Sequence, residues 1–147
     1  VDKGFWLNGR RVEIRGACLH SDLGILGMEF NVSAARRQLR ILKEAGFNAV
    51  RTAHNCPAPG LLDLCDEMGM LVWNECFDKW DALSGRMPSQ NLEEYVSKYL
   101  RRFVRRDRLH PCVVIWSMGN EIGHNTGEKE KQDYFNFLKF ISNICFY

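Results

Sequence analysis

The sequence predicts an α/β protein built on a parallel sheet, and three observations predict it. Short apolar, strand-like runs alternate with helix-like segments four times along the chain. Within each run the apolar residues are nearly continuous, which is the pattern of strands covered on both faces. Each run then stops abruptly at polar groups, most plainly in Val114-Ile115-Trp116-Ser117-Met118-Gly119-Asn120-Glu121-Ile122. Strands alternating with helices imply parallel pairing through crossover connections.

The elements follow in order. Phe5-Trp6-Leu7-Asn8-Gly9-Arg10-Arg11-Val12 predicts a hairpin, because Asn-Gly supplies positive φ at both turn positions. Its second arm is expected to continue through residues 12–20 as the first strand of the sheet, with a Gly-rich loop over residues 21–27. A helix is expected over residues 32–45, with Ser33 as N-cap, Ala35, Leu39 and Leu42 as the buried stripe and Gly46 closing it. Residues 47–54 read as the second strand. Pro57-Ala58-Pro59 opens a second helix, whose apolar face is Leu61, Leu62, Cys65 and Met68 and whose end is Gly69. Residues 70–76 form the third strand, and a loop with Gly85 and Pro88 follows. Asn91 is expected to cap a third helix that Pro111 stops. The fourth strand covers residues 112–119, and a fourth helix is expected from residue 126 toward residue 142.

Composition bounds the class. The chain has 147 residues, 46% apolar, enough for one packed domain. A net charge of +2 gives no reason to expect nucleic acid. A concentration of basic charge, six of the 20 Lys and Arg, lies in residues 98–108, KYLRRFVRRDR, which reads as the solvent face of an amphipathic helix. The six cysteines form no C-x-x-C pair, which argues against a zinc ribbon or a thioredoxin-like site. Cys18, Cys76 and Cys112 fall in apolar runs and are expected to be small buried hydrophobes. No stretch approaches the roughly 20 apolar residues that span a bilayer, so no membrane partner is expected. The start, Val1-Asp2-Lys3-Gly4, lacks the pattern of a secretory signal. A chain starting at Val rather than Met reads as cut from something longer, so a lost signal stays open; bacterial cytoplasm and periplasm are the expected compartments.

Two architectures compete: an open doubly wound sheet and a (β/α)8 barrel. No G-x-G-x-x-G follows the first strand, which lowers the dinucleotide-binding option. A full barrel takes about 250 residues, so on the barrel reading the chain is a partial one, four β/α units preceded by a hairpin.

Parallel strands bring their C-terminal ends to one rim, where barrels build their sites. Strand one ends in His20, followed by Asp22; strand two in Arg51 and His54; strand three in Asn74 and Glu75; strand four in Asn120 and Glu121. Charged groups there need partners. A Glu in a partly apolar mouth has its pKa raised and can donate a proton near neutral pH. Structural readings stand beside these. His20 fits a hydrogen-bonded loop histidine, His54 a residue orienting a turn, and Glu75 a buried ion-pair partner of Arg51. Trp73 and Trp116 lie within strands and read as core rather than as a sugar platform.

Several segments together resemble glycoside hydrolase family 2. They are Phe5-Trp6-Leu7-Asn8-Gly9, residues 15–20 (RGACLH), residues 48–55 (NAVRTAHN), residues 61–69 (LLDLCDEMG) and residues 110–121 (HPCVVIWSMGNE). The match covers about residues 4 to 125, and the loop at His20-Ser21-Asp22-Leu23-Gly24 with the Cys56-Pro57-Ala58-Pro59 turn looks most like β-galactosidase members. The resemblance implies a (β/α)8 barrel and a retaining mechanism on β-linked terminal sugars. It makes residues 1–147 the N-terminal half of the catalytic barrel, with residues 1–11 a hairpin leading in. It implies Glu121 as general acid/base, Asn120 on the sugar 2-hydroxyl, His20, His54 and Asp22 on substrate hydroxyls, and Arg51 and Glu75 supporting the nucleophile. In the family that nucleophile lies on the seventh strand, beyond this chain, so the chain alone is expected to be inactive. Retaining enzymes need both carboxylates, about 5 to 5.5 Å apart. No cofactor is implied. The family often has Asp where this chain has Asn74, which removes a rim charge, and Lys79 and Trp80 stand where some members hold magnesium, so no metal is expected there. The end, residues 141–147, resembles nothing expected of the family.

Competing readings are kept. β-Glucuronidase or β-mannosidase specificity is one. A non-catalytic sugar-binding or interaction fragment is another, because half a barrel exposes strand edges that invite pairing with the missing half or with a second copy as a homo-oligomer. A third is a metal-dependent hydrolase using His20, His54 and Glu75.

Overall fold

The computed structural model describes residues 4–78, 92–117 and 119–121, residues 92–97 through their backbone only. The expected fourth helix, Asn91 as a cap, and Lys79 and Trp80 lie outside the described residues.

Strands β1 (Trp6–Leu7) and β2 (Arg10–Arg11) pair antiparallel across Asn8-Gly9. Both turn residues have positive φ, 49° and 75°, as a two-residue hairpin turn of this twist requires. The second arm does not run on to His20 as expected. Residues 12–15 break it, and Asn48 accounts for the break: its Oδ1 accepts from the Arg15 amide at 2.8 Å and its Nδ2 donates to the Glu13 carbonyl at 2.8 Å. A side chain there takes the place of a strand partner.

Four parallel strands follow in spatial order β3 (Gly16–Leu19), β4 (Ala49–Thr52), β5 (Leu71–Glu75) and β6 (Val113–Ser117). Helices α1 (Val32–Glu44), α2 (Pro59–Met68) and α3 (Leu92–Asp107) connect them in turn. The open-sheet alternative required a change of strand order; sequential order with a helix between each pair is that of a partial (β/α)8 barrel.

The first two helices stop by the same device. Gly46 (φ 89°) and Gly69 (φ 65°) take left-handed conformations. The amides that follow, Phe47 and Met70, reach back to the Leu42 and Cys65 carbonyls at 3.0 and 2.9 Å, which satisfies carbonyls left over at a helix end. The start of α1 corrects the expected cap. Asn31, not Ser33, has the extended backbone, and its Oδ1 accepts from the Ala34 amide at 3.0 Å. Ser33 already lies inside the first turn, where its hydroxyl cannot serve that amide.

Neighbours along a strand face opposite ways, and here the two faces differ. Val50 and Val72 point to the helices and pack with Ala35, Leu39, Leu62, Leu64, Cys65, Met70 and Cys112. Complete burial of a Leu such as Leu39 or Leu62 stabilises by about 2 kcal/mol. Leu100, Phe103 and Val104 bury one side of α3, while Lys98, Arg101, Arg102 and Arg105 face solvent. The basic stretch is therefore the solvent side of a helix. The other face of the sheet carries Cys18, Arg51, Trp73 and Ile115 in one register row. Two expectations fail on it. Cys18 is exposed rather than buried. Trp73 is 44% exposed, with the Arg51 guanidinium 5.6 Å from its ring centre. Both point into an open groove of ≈ 340 Å³. Trp116, expected in the core, is half-buried, edge-on to Phe103 at 5.2 Å.

Candidate active site

The C-terminal ends of β4, β5 and β6 converge on one carboxylate. Glu75 is the last residue of β5, and its side chain is fully buried. Arg51, on β4, donates to it through two nitrogens: Nε to Oε2 at 3.0 Å, and Nη2 to Oε1 and Oε2 at 3.0 and 2.8 Å. Ser117 ends β6 in register with Glu75, and its hydroxyl donates to Oε2 at 2.7 Å. A buried carboxylate is tolerated only when paired and fully hydrogen-bonded, and this one is. Its backbone is anchored too, the Glu75 amide donating to Thr52 Oγ1 at 2.9 Å.

His54 adds a third side. Its Nδ1 lies 2.8 Å from Glu75 Oε1 and 3.2 Å from Arg51 Nη2. A carboxylate only accepts and a guanidinium only donates, so Nδ1 serves one of the two. The shorter contact assigns it a proton donated to Glu75. The Ala53–His54 peptide is cis. His20, exposed after β3, packs edge-on against His54 with ring centres 5.1 Å apart.

Asn120 closes the cluster from the fourth unit. Its Oδ1 accepts from Arg51 Nη2 at 3.1 Å, and its Nδ2 donates to Asp78 Oδ1 at 3.1 Å. The Asn120 amide also donates to the Asp78 carbonyl at 3.2 Å. Among the described residues the carboxamide is held at both ends, with one N–H and one lone pair beyond these two bonds. Glu121 comes next, exposed and with φ at 52°. A non-glycine residue in the left-handed region is uncommon, and such positions gather at functional sites.

The residues singled out in the sequence thus fall into three groups. Arg51, His54, Glu75 and Asn120 are directly bonded together, with His20 stacked against them. Glu121 adjoins Asn120. Asp22 makes local bonds instead: its Oδ1 accepts from the Gly24 amide at 2.8 Å, and its carbonyl from Gln38 at 3.4 Å. The expected ion pair of Glu75 with Arg51 is present, at 2.8 Å. Asn74 is a correction. It faces the helices, not the rim, fully buried, and donates to Asp107 Oδ2 at 2.9 Å. Strand alternation sends it to the opposite side from Glu75, so an exchange of charge at this position acts on the helix layer.

Two residues of the cluster were missed. Ser117 carried one signal, its place at the end of β6 level with the end of β5. Asp78 carried none, because its role depends on where the loop after β5 runs. Chemistry for a metal lies elsewhere. Among the described residues, donor atoms of Asp66, His110 and Cys112 lie within 4.8 Å of one another. Around Glu75, by contrast, the Arg51 guanidinium occupies the side a cation would need, which disfavours the metal-dependent reading of His20, His54 and Glu75.

A β/α barrel segment with polar side chains gathered at the C-terminal ends of its strands defines a barrel-enzyme domain. The chain belongs to the glycosyl hydrolases family 2, TIM barrel domain, whose family model matches residues 1–139. It is 49% identical over 121 residues to a β-galactosidase of Bacteroides ovatus, covering 82% of this chain and 14% of that protein. It is 38% identical over 122 residues to a putative β-glucuronidase of Formosa agariphila, covering 82% of this chain and 12% of that protein. Among solved structures, a family 2 member from Bacteroides cellulosilyticus superposes with a TM-score of 0.85 at 37% identity, over 97% of this chain and 19% of that one. The chain therefore spans less than a fifth of the length of these proteins.

Proposed function

We propose that this chain is the N-terminal half of the catalytic barrel of a retaining β-glycosidase, with residues 1–11 as the hairpin that leads into it. The observation that carries the proposal is the fully bonded Glu75, which ties Arg51, His54 and Ser117 into one rigid rim and, through Arg51, orients Asn120 beside Glu121. In this reading Glu121 protonates the departing glycosidic oxygen, then takes the proton of the incoming water in the second step. Asn120 offers its remaining N–H to the sugar 2-hydroxyl. His20, His54 and Asp22 receive other hydroxyls. Arg51 and Glu75 fix the electrostatics around a nucleophilic carboxylate that the rest of the barrel supplies. The open groove below the rim, with Trp73 and Cys18 exposed, is then filled by side chains of the remaining strands, as barrel interiors are.

The substrate is a terminal β-linked sugar, with galactoside first and glucuronide second, in the order in which the relatives' names support it. A panel of aryl β-glycosides with the enzyme that contains this segment tests the proposal. Cleavage with retained anomeric configuration is expected for one of them. Inverted product, or no cleavage across the panel, overturns it. The 147-residue chain by itself is expected to hydrolyse none, since it carries one of the two carboxylates.

The open groove and the edges of β3 and β6 favour a second reading, a fragment that associates through them. Light scattering separates the two states: a monomer at high concentration counts against association.

A further inference from the structure

Two cysteines flank the rim without a role in the proposed chemistry. Cys56 is exposed on the loop after β4, two residues beyond His54. Cys76 directly follows Glu75 and is 4% exposed. Their Sγ atoms are 3.5 Å apart, and Cys56 Sγ lies 3.5 Å from the Cys76 carbonyl oxygen. A disulfide bond is about 2.05 Å long, so closure asks the two sulfurs to approach by about 1.5 Å. The other described thiols differ. Burial of Cys65 pushes its thiol up to about 12, Cys112 is buried, and Cys18 stands on the open sheet face.

The pair is chemically unequal. The hydrogen-bond contact with Cys76 holds the Cys56 thiol below its ordinary range; burial opposes this, the Arg106 charge assists, and the Asp107 charge opposes. Cys76 moves upward, through that same hydrogen bond and through burial. The accessible sulfur is therefore the one favoured to lose its proton, and on losing it becomes the attacking group.

We propose that Cys56 and Cys76 form a redox-active dithiol that small-molecule disulfides convert to an intramolecular crosslink between the ends of β4 and β5. The Cys56 thiolate attacks one sulfur of the oxidant, an S–S bond forms to Cys56, and the other half leaves as a thiolate. Cys76 then gives up its proton and attacks Cys56 Sγ, expelling the second small thiolate. Both protein thiols are oxidised, one external disulfide is reduced to two thiols, and the two protons go to those products. The crosslink fixes the loop bearing His54 to the strand end bearing Glu75, alongside their 2.8 Å hydrogen bond.

The test incubates the 147-residue chain with oxidised glutathione, blocks free thiols by alkylation and maps the peptides by mass spectrometry. Cleavage after Glu67 separates Cys76 from Cys56, and fragmentation distinguishes Cys56 from Cys65. The expected product is a Cys56–Cys76 link, lighter by two hydrogens, without bound glutathione and reversed by dithiothreitol. In Cys76→Ser the first step is trapped, so Cys56 retains one glutathione and gains it faster than Cys18. Recovery of both thiols in alkylated form, or a stable glutathione adduct on Cys56 of the unaltered chain, overturns the proposal.

Discussion

At the C-terminal ends of the strands, Glu75 is held by Arg51, His54 and Ser117. At the other end of the sheet, where β6 begins, Asp66 of α2 is held by His110 Nδ1 at 2.6 Å and by the Cys112 amide at 2.8 Å. Both are carboxylates clamped by a histidine, and both join elements far apart in sequence. They differ in what surrounds them. Around Asp66 the partners are a single imidazole and the amide just before β6, and the result is a staple between α2 and the start of β6. Around Glu75 the partners are side chains from the ends of two neighbouring strands and the loop after one of them. Similar chemistry serves architecture at one end and, in the proposed function, substrate at the other, as barrel folds generally divide their two faces.

The comparison breaks most visibly at Glu75. Glu75→Leu leaves Arg51 charged without its partner and removes the acceptor of His54 and Ser117. Loss of one member of a buried pair costs about 3 to 5 kcal/mol; because Arg51 is 27% exposed, the lower figure is expected in denaturant titration. Loss of turnover in the complete enzyme is expected as well. Asp66→Asn should cost less, about 1 to 3 kcal/mol, with kcat unchanged per folded molecule. Loss of kcat with Asp66→Asn would show that the two ends are not separate in function.

Acidity sharpens the same contrast. Burial works to raise the Asp66 carboxyl, but hydrogen bonds from Cys112 and His110 outweigh it and hold the group below its ordinary value. A depressed carboxylate contributes stability that is present above its unfolded pKa, about 3.9, and lost as pH falls through the lower folded value. The stability gap between the unaltered chain and Asp66→Asn should therefore narrow below about pH 4. A gap that stays constant to lower pH would remove the electrostatic part of the staple. The smallest effect belongs to Arg36→Ala. Arg36 pairs with Glu67 at 2.5 Å across α1 and α2, but both side chains are exposed, and such pairs contribute little. No resolvable change in the denaturation midpoint is expected.

Much of this was legible in the sequence because it rests on local signals. Asn8-Gly9 dictated its hairpin, and Gly46 and Gly69 marked the ends of their helices. Polar residues where apolar runs stop marked the rim. What was not legible depends on direction or on distant packing. Asn74 and Glu75 are adjacent letters, yet strand alternation turns one to Asp107 and the other to Arg51. Cys18 and Trp73 read as core because they sit in apolar runs, but among the described residues only one face of this sheet is covered. Ser33 and Asn31 are both capping types, and the choice between them rests on which residue leaves the helix first. Asp78 meets Asn120 through a loop path that no short pattern encodes.

The most direct measurement is the kinetics of Glu121→Gln in the complete enzyme, using two substrates of the same sugar with leaving groups of unequal acidity. If residue 121 is the proton donor that the Arg51–Glu75–Asn120 rim positions, kcat/KM falls by about 10² to 10⁴ for the poor leaving group. An activated aryl glycoside, which departs without protonation, should retain most of its glycosylation rate. Equal losses on both substrates would contradict the account.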